Sequence, residues 1–178
     1  MTAGLGSLPA RKTARLQLIP LRPKHAARLR AITDDRAIAR HIHFLVLPFT
    51  HGDALRLIRA KGNGSDRFIG IWRSGALAGV IGAHLAGADR IEIGYWIARA
   101  SQGRGYASEA GAALVALLSR RFPERRIFAE CRPDNRASWR VLVKLGFRAT
   151  GAAGARPGRQ VLAFAGTREA ARRLSAHG

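Results

Sequence analysis

The tightest constraint on this chain is a change of hydrophobic period between residues 91 and 118. Ile91-Glu92-Ile93-Gly94-Tyr95-Trp96-Ile97 is an apolar run that fits a strand. Gln102-Gly103-Arg104-Gly105-Tyr106-Ala107-Ser108-Glu109-Ala110 follows it. The apolar positions Ala107, Ala110, Leu114, Leu117 and Leu118 then recur at helical spacing. A strand that passes through a glycine turn into a helix gathers unpaired backbone N–H groups in one place. Such a place binds anions. Gly103 and Gly105 carry no Cβ, so an anion can approach the backbone there.

The rest of the chain is organised around this unit. Residues 15–21 read as a strand, and Pro23 opens a helix through about Ile32. Asp34 is placed to cap a second short helix through Ile42. Residues 44–49 are apolar and fit either period. A helix is expected over 53–61, then a hairpin of 67–72 and 76–85 turned at Ser74-Gly75. Pro123 ends the helix that began at 107, with Arg120 and Arg121 in its last turn. A strand over 126–131, a helix over 135–145 closed by Gly146, strands over 147–150 and 160–164 and a terminal helix over 169–176 complete the order. Residues 62–65 and 151–158 are loops. This order predicts a mixed sheet with helices on its faces.

A chain of 178 residues fits one domain, 1–178, with a core over about 15–165 and a flexible N-terminus over 1–13. Charges interrupt every long apolar run, so no membrane span is expected. Residues 1–13 lack the apolar stretch of a secretory signal. One cysteine, Cys131, excludes an intrachain disulfide framework and a Cys-based zinc cluster. A cytoplasmic protein is expected.

A second motif follows the strand over 126–131: Pro133-Asp134-Asn135-Arg136-Ala137-Ser138-Trp139-Arg140-Val141-Leu142-Val143-Lys144-Leu145-Gly146-Phe147. The spacing Gln102-x-x-Gly105-x-Ala107 resembles the acetyl-CoA pyrophosphate loop of the Gcn5-related N-acetyltransferase (GNAT) family. The Asn-x-x-Ser helix leading into Lys-Leu-Gly-Phe, about thirty residues on, resembles the second half of the same core. Arg15-Leu16, Leu21-Arg22-Pro23 and Glu92-Ile93-Gly94-Tyr95-Trp96 resemble the branch of the family that acetylates ribosomal-protein N-termini. The resemblance spans about 15–164. It implies an α+β fold, the GNAT fold: a mixed, mostly antiparallel central sheet of six to seven strands with helices on both faces. It further implies direct transfer of acetyl from acetyl-CoA, the cosubstrate, to an amine, with no metal.

The resemblance also distributes roles. The backbone N–H groups of Gln102, Gly103, Arg104, Gly105, Tyr106 and Ala107, with Ser108, would hold the pyrophosphate. An N–H near Ile97 would polarise the thioester carbonyl. Asn135 would hydrogen-bond pantetheine, although a helix N-cap is an equal reading. Many relatives carry a Tyr seven residues after this Asn; Leu142 stands there, so Ser138 is the candidate acid for the thiolate. Only Glu92 and Glu130, of eleven acids, interrupt apolar strands. Each is therefore either a general base or the partner of an arginine; the resemblance favours Glu92 as a water-relayed base. His84 is either a core or rim histidine or a substrate-side group, since its strand neighbours that of Glu92. His41-x-His43 is too small a constellation for a metal.

Thirty-one Lys and Arg stand against eleven Asp and Glu, a net charge of +20, and 27 of the 31 are Arg. This is either a default surface composition or a field that attracts anions, coenzyme A and ribosomal RNA among them. No RNA-recognition motif accompanies it. A cationic acceptor would want an acidic pocket, which eleven acids furnish poorly. A protein N-terminal α-amine is the first candidate acceptor; a small-molecule amine and a non-catalytic acyl-CoA-binding module are the alternatives. The chain would be a monomer or homodimer.

Overall fold

The structure, a computed structural model, describes residues 4–59 and 64–166. The expected helix over 169–176 and the end of the one over 53–61 lie outside these. The strands are β1 (Arg11–Lys12), β2 (Gln17–Pro20), β3 (Asp66–Arg73), β4 (Ala76–Leu85), β5 (Arg90–Ile97), β6 (Arg126–Cys131), β7 (Phe147–Ala153) and β8 (Gln160–Phe164). They form one sheet in the order β1-β2-β3-β4-β5-β6-β8-β7. The β1–β2, β2–β3, β3–β4, β6–β8 and β7–β8 ladders are antiparallel, and β5–β6 is parallel. The helices are α1 (Ala26–Thr33), α2 (Arg36–Ala39), α3 (His51–Arg59), α4 (Tyr106–Arg121) and α5 (Arg136–Lys144). No helix among the described residues is long and apolar enough to cross a membrane.

The sheet has eight strands rather than six or seven. The additional one is β1, within the segment expected to be a flexible N-terminus. Two buried side chains account for its order: Leu5 and Leu8 are excluded from solvent, and the Leu5 N–H donates to the Gly64 carbonyl at 3.1 Å. Burying two leucines contributes several kcal/mol, on the order of 1.5–3 each, against the entropy of ordering the segment. Asp34 does not cap α2. Asp35 does, accepting the Ala37 N–H at 2.7 Å, while Asp34 reaches the Phe49 N–H at 2.8 Å. The helix after it is one turn and stops at Ala39. Thr50 and Asp53 form a reciprocal cap on α3, which therefore starts at His51. Residues 44–49 adopt neither regular period.

Two compact units divide the chain. The first holds residues up to His84 together with Gly94–Ala110, the second Leu85–Ile93 and the residues from Gly111 on. The core of the first is Leu21, Leu29, Phe49, Phe68, Trp72, Val80 and Trp96, with Ala26, Ala54 and Ile58 from α1 and α3. Trp96 donates its indole N–H to the Thr33 hydroxyl at 3.1 Å, which satisfies both buried groups. In the second unit Leu114, Leu118, Leu142, Phe147 and Leu162 are buried. Gly111 of α4 lets Leu145 come close: a Cβ there would lie 2.5 Å from its Cδ1. Gly146, at φ +92°, ends α5 as the sequence predicts.

Candidate active site

The turn before α4 lies in the first unit. Gly103 and Gly105 sit at φ +73° and +76°, the left-handed region that glycine tolerates without cost. The Glu109 N–H is the first to find an α-helical carbonyl, that of Gly105, at 3.0 Å. The amides of the first turn ahead of it are the orphan donors of the helix end. Tyr106 and Ala107 are buried, so their side chains face inward and only their amides serve the turn. The Gln102 side-chain amide donates to the Ile97 carbonyl at 3.1 Å and ties the turn to the end of β5.

Arg15 and Thr13 brace this turn from the start of the chain, and sequence reasoning did not select them. Arg15 Nε donates to Glu109 Oε2 at 2.7 Å and Nη1 to the Arg104 carbonyl at 3.1 Å, while its guanidinium lies 5.2 Å from the Tyr106 ring centre. Thr13 Oγ1 and the Arg15 N–H both donate to Glu109 Oε1, at 2.6 and 2.8 Å. Burial alone would raise the Glu109 carboxyl; the bonds from Thr13 and Arg15 outweigh it and hold the group below the ordinary range. The one sequence signal was Glu109 itself, an acid in a first helical turn.

In the second unit, Glu92 and Glu130 both bond Arg156, and the Arg159 charge also acts on both. Arg156 Nη2 donates to Glu92 Oε1, and Arg156 Nε donates to Glu130 Oε2 at 2.8 Å. The Glu130 side chain is 4% exposed, deep enough that an unpaired charge there would be costly. The Ala155 N–H donates to its other oxygen at 2.8 Å. Burial pushes the Glu130 carboxyl up, and these bonds with the Arg156 charge bring it below its usual value. Burial likewise pushes Arg156 down, and Glu130 and Glu92 together raise it above its usual value. The expected loop over 151–158 is shorter than read, because β7 continues to Ala153, and its remainder supplies this arginine. Gly154 lets it wrap closely, since a Cβ there would lie 2.8 Å from the Glu130 carboxylate.

Asn135 is the N-cap of α5: its Oδ1 accepts the Ser138 N–H at 3.3 Å. The Ser138 hydroxyl hydrogen-bonds the Cys131 thiol, which burial pushes above its ordinary pKa. Cys131 lies at the end of β6 and is buried. Leu142 faces the interior.

In the first unit His84 Nδ1 lies 2.7 Å from Asp66 Oδ1, directly across the β3–β4 ladder. Its ring stacks edge-on against Phe68 at 5.1 Å, and Phe68 meets Phe44 and Trp96. Among the described residues no group of three or more His, Cys, Asp or Glu side chains is placed to hold a metal.

A family model described as an acetyltransferase (GNAT) domain matches residues 15–148. The chain belongs to the GNAT acetyltransferase family. It is 33% identical over 122 residues to the uncharacterized N-acetyltransferase YnaD of Bacillus subtilis (strain 168), an alignment covering 67% of this chain and 71% of that one. Its fold is similar to a GNAT-family acetyltransferase from Bacillus anthracis, with a TM-score of 0.76 and 25% identity, over 87% of this chain and 97% of the other. It is also similar in fold to RimL, the ribosomal L7/L12 α-N-protein acetyltransferase, solved with coenzyme A. That pair has a TM-score of 0.78 and 20% identity, over 87% and 97% of the two chains. The GNAT fold and an acetyltransferase activity are thus established for this chain by family.

Proposed function

We propose that this enzyme takes acetyl from acetyl-CoA and delivers it to a protein N-terminal α-amine. The observation that carries the coenzyme half is the turn at 102–106. It has two left-handed glycines, a helix N-terminus behind it, and open space where a Cβ of Gly103 would stand. A diphosphate can meet main-chain N–H groups there with no side chain in between. Gln102, Gly103, Arg104, Gly105, Tyr106, Ala107 and Ser108 form this cradle in the reading, Arg104 through its charge. The β5–β6 ladder covers Arg90, Ile91 and Glu92, so beyond them only the alternate β5 amides that face away from β4 remain for pantetheine to pair with as an added strand. An N–H near Ile97 would then polarise the carbonyl.

Asn135 uses its Oδ1 as a cap and has its side-chain amide to offer pantetheine. Ser138 is the proton donor assigned to the departing thiolate. Glu92 and Glu130, the two carboxylates singled out by sequence, serve in this reading by fixing Arg156 rather than as bases, because the Arg156 guanidinium bonds both and Arg159 adds a second positive charge beside them. The peptide acceptor is favoured over a polyamine or aminoglycoside by the scarcity of acids, eleven in 178 residues. A cytoplasmic setting accompanies the reading.

The test is an acceptor panel assayed with acetyl-CoA by free-thiol release: N-terminal peptides, polyamines and aminoglycosides. Turnover of peptides bearing a free α-amine, abolished by prior N-acetylation, is expected. Turnover confined to polycations would overturn the acceptor. Absence of coenzyme A binding by calorimetry would overturn the whole reading.

A further inference from the structure

Acetyl transfer needs a group that strips a proton from the acceptor's ammonium, and both strand carboxylates are engaged by Arg156. We infer that His84, oriented by Asp66, is that general base. The inference rests on the acetyl-transfer reading above and adds a residue that the resemblance did not assign.

Three observations carry it. First, the Asp66 carboxylate faces His84 Nδ1 at 2.7 Å, while its Oδ2 accepts the Ser65 hydroxyl at 2.8 Å. A carboxylate on Nδ1 keeps the proton there and leaves the Nε2 lone pair for an incoming proton. Among the described residues, no group hydrogen-bonds Nε2. Second, the imidazole lies over a glycine: a Cβ on Gly82 would sit 2.8 Å from Nε2, so any larger residue would displace the ring. Third, the ring shares a sheet face with Trp96, since Phe68 meets both. Gly94 alternates with Trp96 along β5 and shares its face, and a Cβ on Gly94 would meet nothing within 4 Å. Phe44, 38% exposed, packs edge-on against the buried Phe68 and Trp96 on that face. Aromatic faces attract an ammonium electrostatically. The His84 side chain is 23% exposed, sheltered yet reachable.

The chemistry balances as follows. His84 Nε2 takes one proton from R–NH3+ and becomes an imidazolium opposite the Asp66 carboxylate. The amine lone pair attacks the thioester carbon, the C–N bond forms and the C–S bond breaks. The nitrogen's second proton reaches the departing sulfur, giving the amide and CoA-SH, and the imidazolium returns the first proton to water.

The experiment compares wild type with His84→Ala, His84→Gln and Asp66→Asn. It records coenzyme A affinity by calorimetry, initial rates on an α-amine peptide with and without added imidazole, and the His84 tautomer by long-range 1H–15N NMR. The expected result is a kcat loss of about 100-fold or more in both His84 variants, the usual range for a lost general base. Coenzyme A affinity should stay within about twofold, exogenous imidazole should restore His84→Ala at least tenfold, and Asp66→Asn should lose about tenfold in kcat. The wild-type tautomer should carry its proton on Nδ1. Unchanged kcat, a loss that imidazole fails to restore, or a proton on Nε2 would overturn the inference. Failure of wild type itself to bind coenzyme A would instead fall on the acetyl-transfer reading, and the tautomer would still decide the state of His84.

Discussion

Arg15 shows how one side chain can shape a loop it does not belong to. It bonds Glu109 and the Arg104 carbonyl, covers Tyr106, and its Nη2 lies 3.4 Å from where a Cβ of Gly105 would be. Lysine cannot make these contacts at once. The turn is thereby held in shape before any ligand arrives, which lowers the ordering cost of binding. Arg15→Ala is expected to raise the coenzyme A Kd about tenfold, roughly 1.4 kcal/mol, and to leave pantetheine, which lacks the diphosphate, unaffected. Calorimetry with both ligands decides it, and equal losses would count against the diphosphate role. Arg156 lends itself to a pH experiment. Arg156→Met removes the guanidinium that bonds Glu92 and Glu130, leaving only the Arg159 charge nearby, and should cost about 3 kcal/mol, the low end for a broken buried pair. The folded Glu130 carboxyl lies below its unfolded value, so its contribution is complete above the unfolded carboxylate range and is lost as pH falls through the folded value. The gap between wild type and Arg156→Met should therefore be widest near about pH 7 and narrow toward about pH 4, read as denaturant midpoints. Sequence marked Glu92 and Glu130 because carboxylates in apolar strands are conspicuous. It did not mark Arg156, which is one arginine among 27 in a segment with no period.

Elements were legible where a period or a stop signal was strong. The strand–glycine–helix passage, the Ser74-Gly75 hairpin, the helix closed by Gly146 and the strand over 160–164 stand where the residues predict them, whereas the strand predicted over 147–150 runs on to Ala153. The reading failed where the decisive contact was distant in sequence. Residues 4–12 are ordered through Leu5, Leu8 and a bond to Gly64, none visible to a local pattern. Asp34 and Asp35 are adjacent acids, and only the fold decides that Asp35 caps while Asp34 reaches Phe49. Close approach of β4 and β5 was equally hidden. A Cβ on Gly79 would stand 2.6 Å from the Trp96 carbonyl oxygen and 3.1 Å from the Ile97 Cα, so backbone rather than a yielding side chain blocks it. Gly79→Ala should destabilise the protein by about 2 kcal/mol or more through overpacking. It should also lower activity by shifting Ile97; thermal melts and coenzyme A titration of the variant check both.

At the scale of the molecule, the net charge of +20 acts on anything anionic that approaches. Counter-ions screen such a field beyond roughly 10 Å at 0.1 M salt. The apparent kcat/KM for acetyl-CoA should therefore fall several-fold between about 50 and 300 mM salt, whereas the KM of a neutral acceptor peptide should move little. A flat profile would assign the arginines to composition alone. The ends of the strand order carry a further consequence. At one end β1 is two residues long and consists of Arg11 and Lys12; at the other, β7 bears Arg148 and an irregular register between Ala149 and Ala153. Short, basic or kinked borders discourage a second chain from adding its own strand. Removing residues 1–12 would strip that guard from Gln17–Pro20 and expose the ladder beside Leu18 and Ile19. Trimming the few residues that precede the recognisable core is therefore expected to promote self-association, which light scattering of the trimmed chain would register as growing particles.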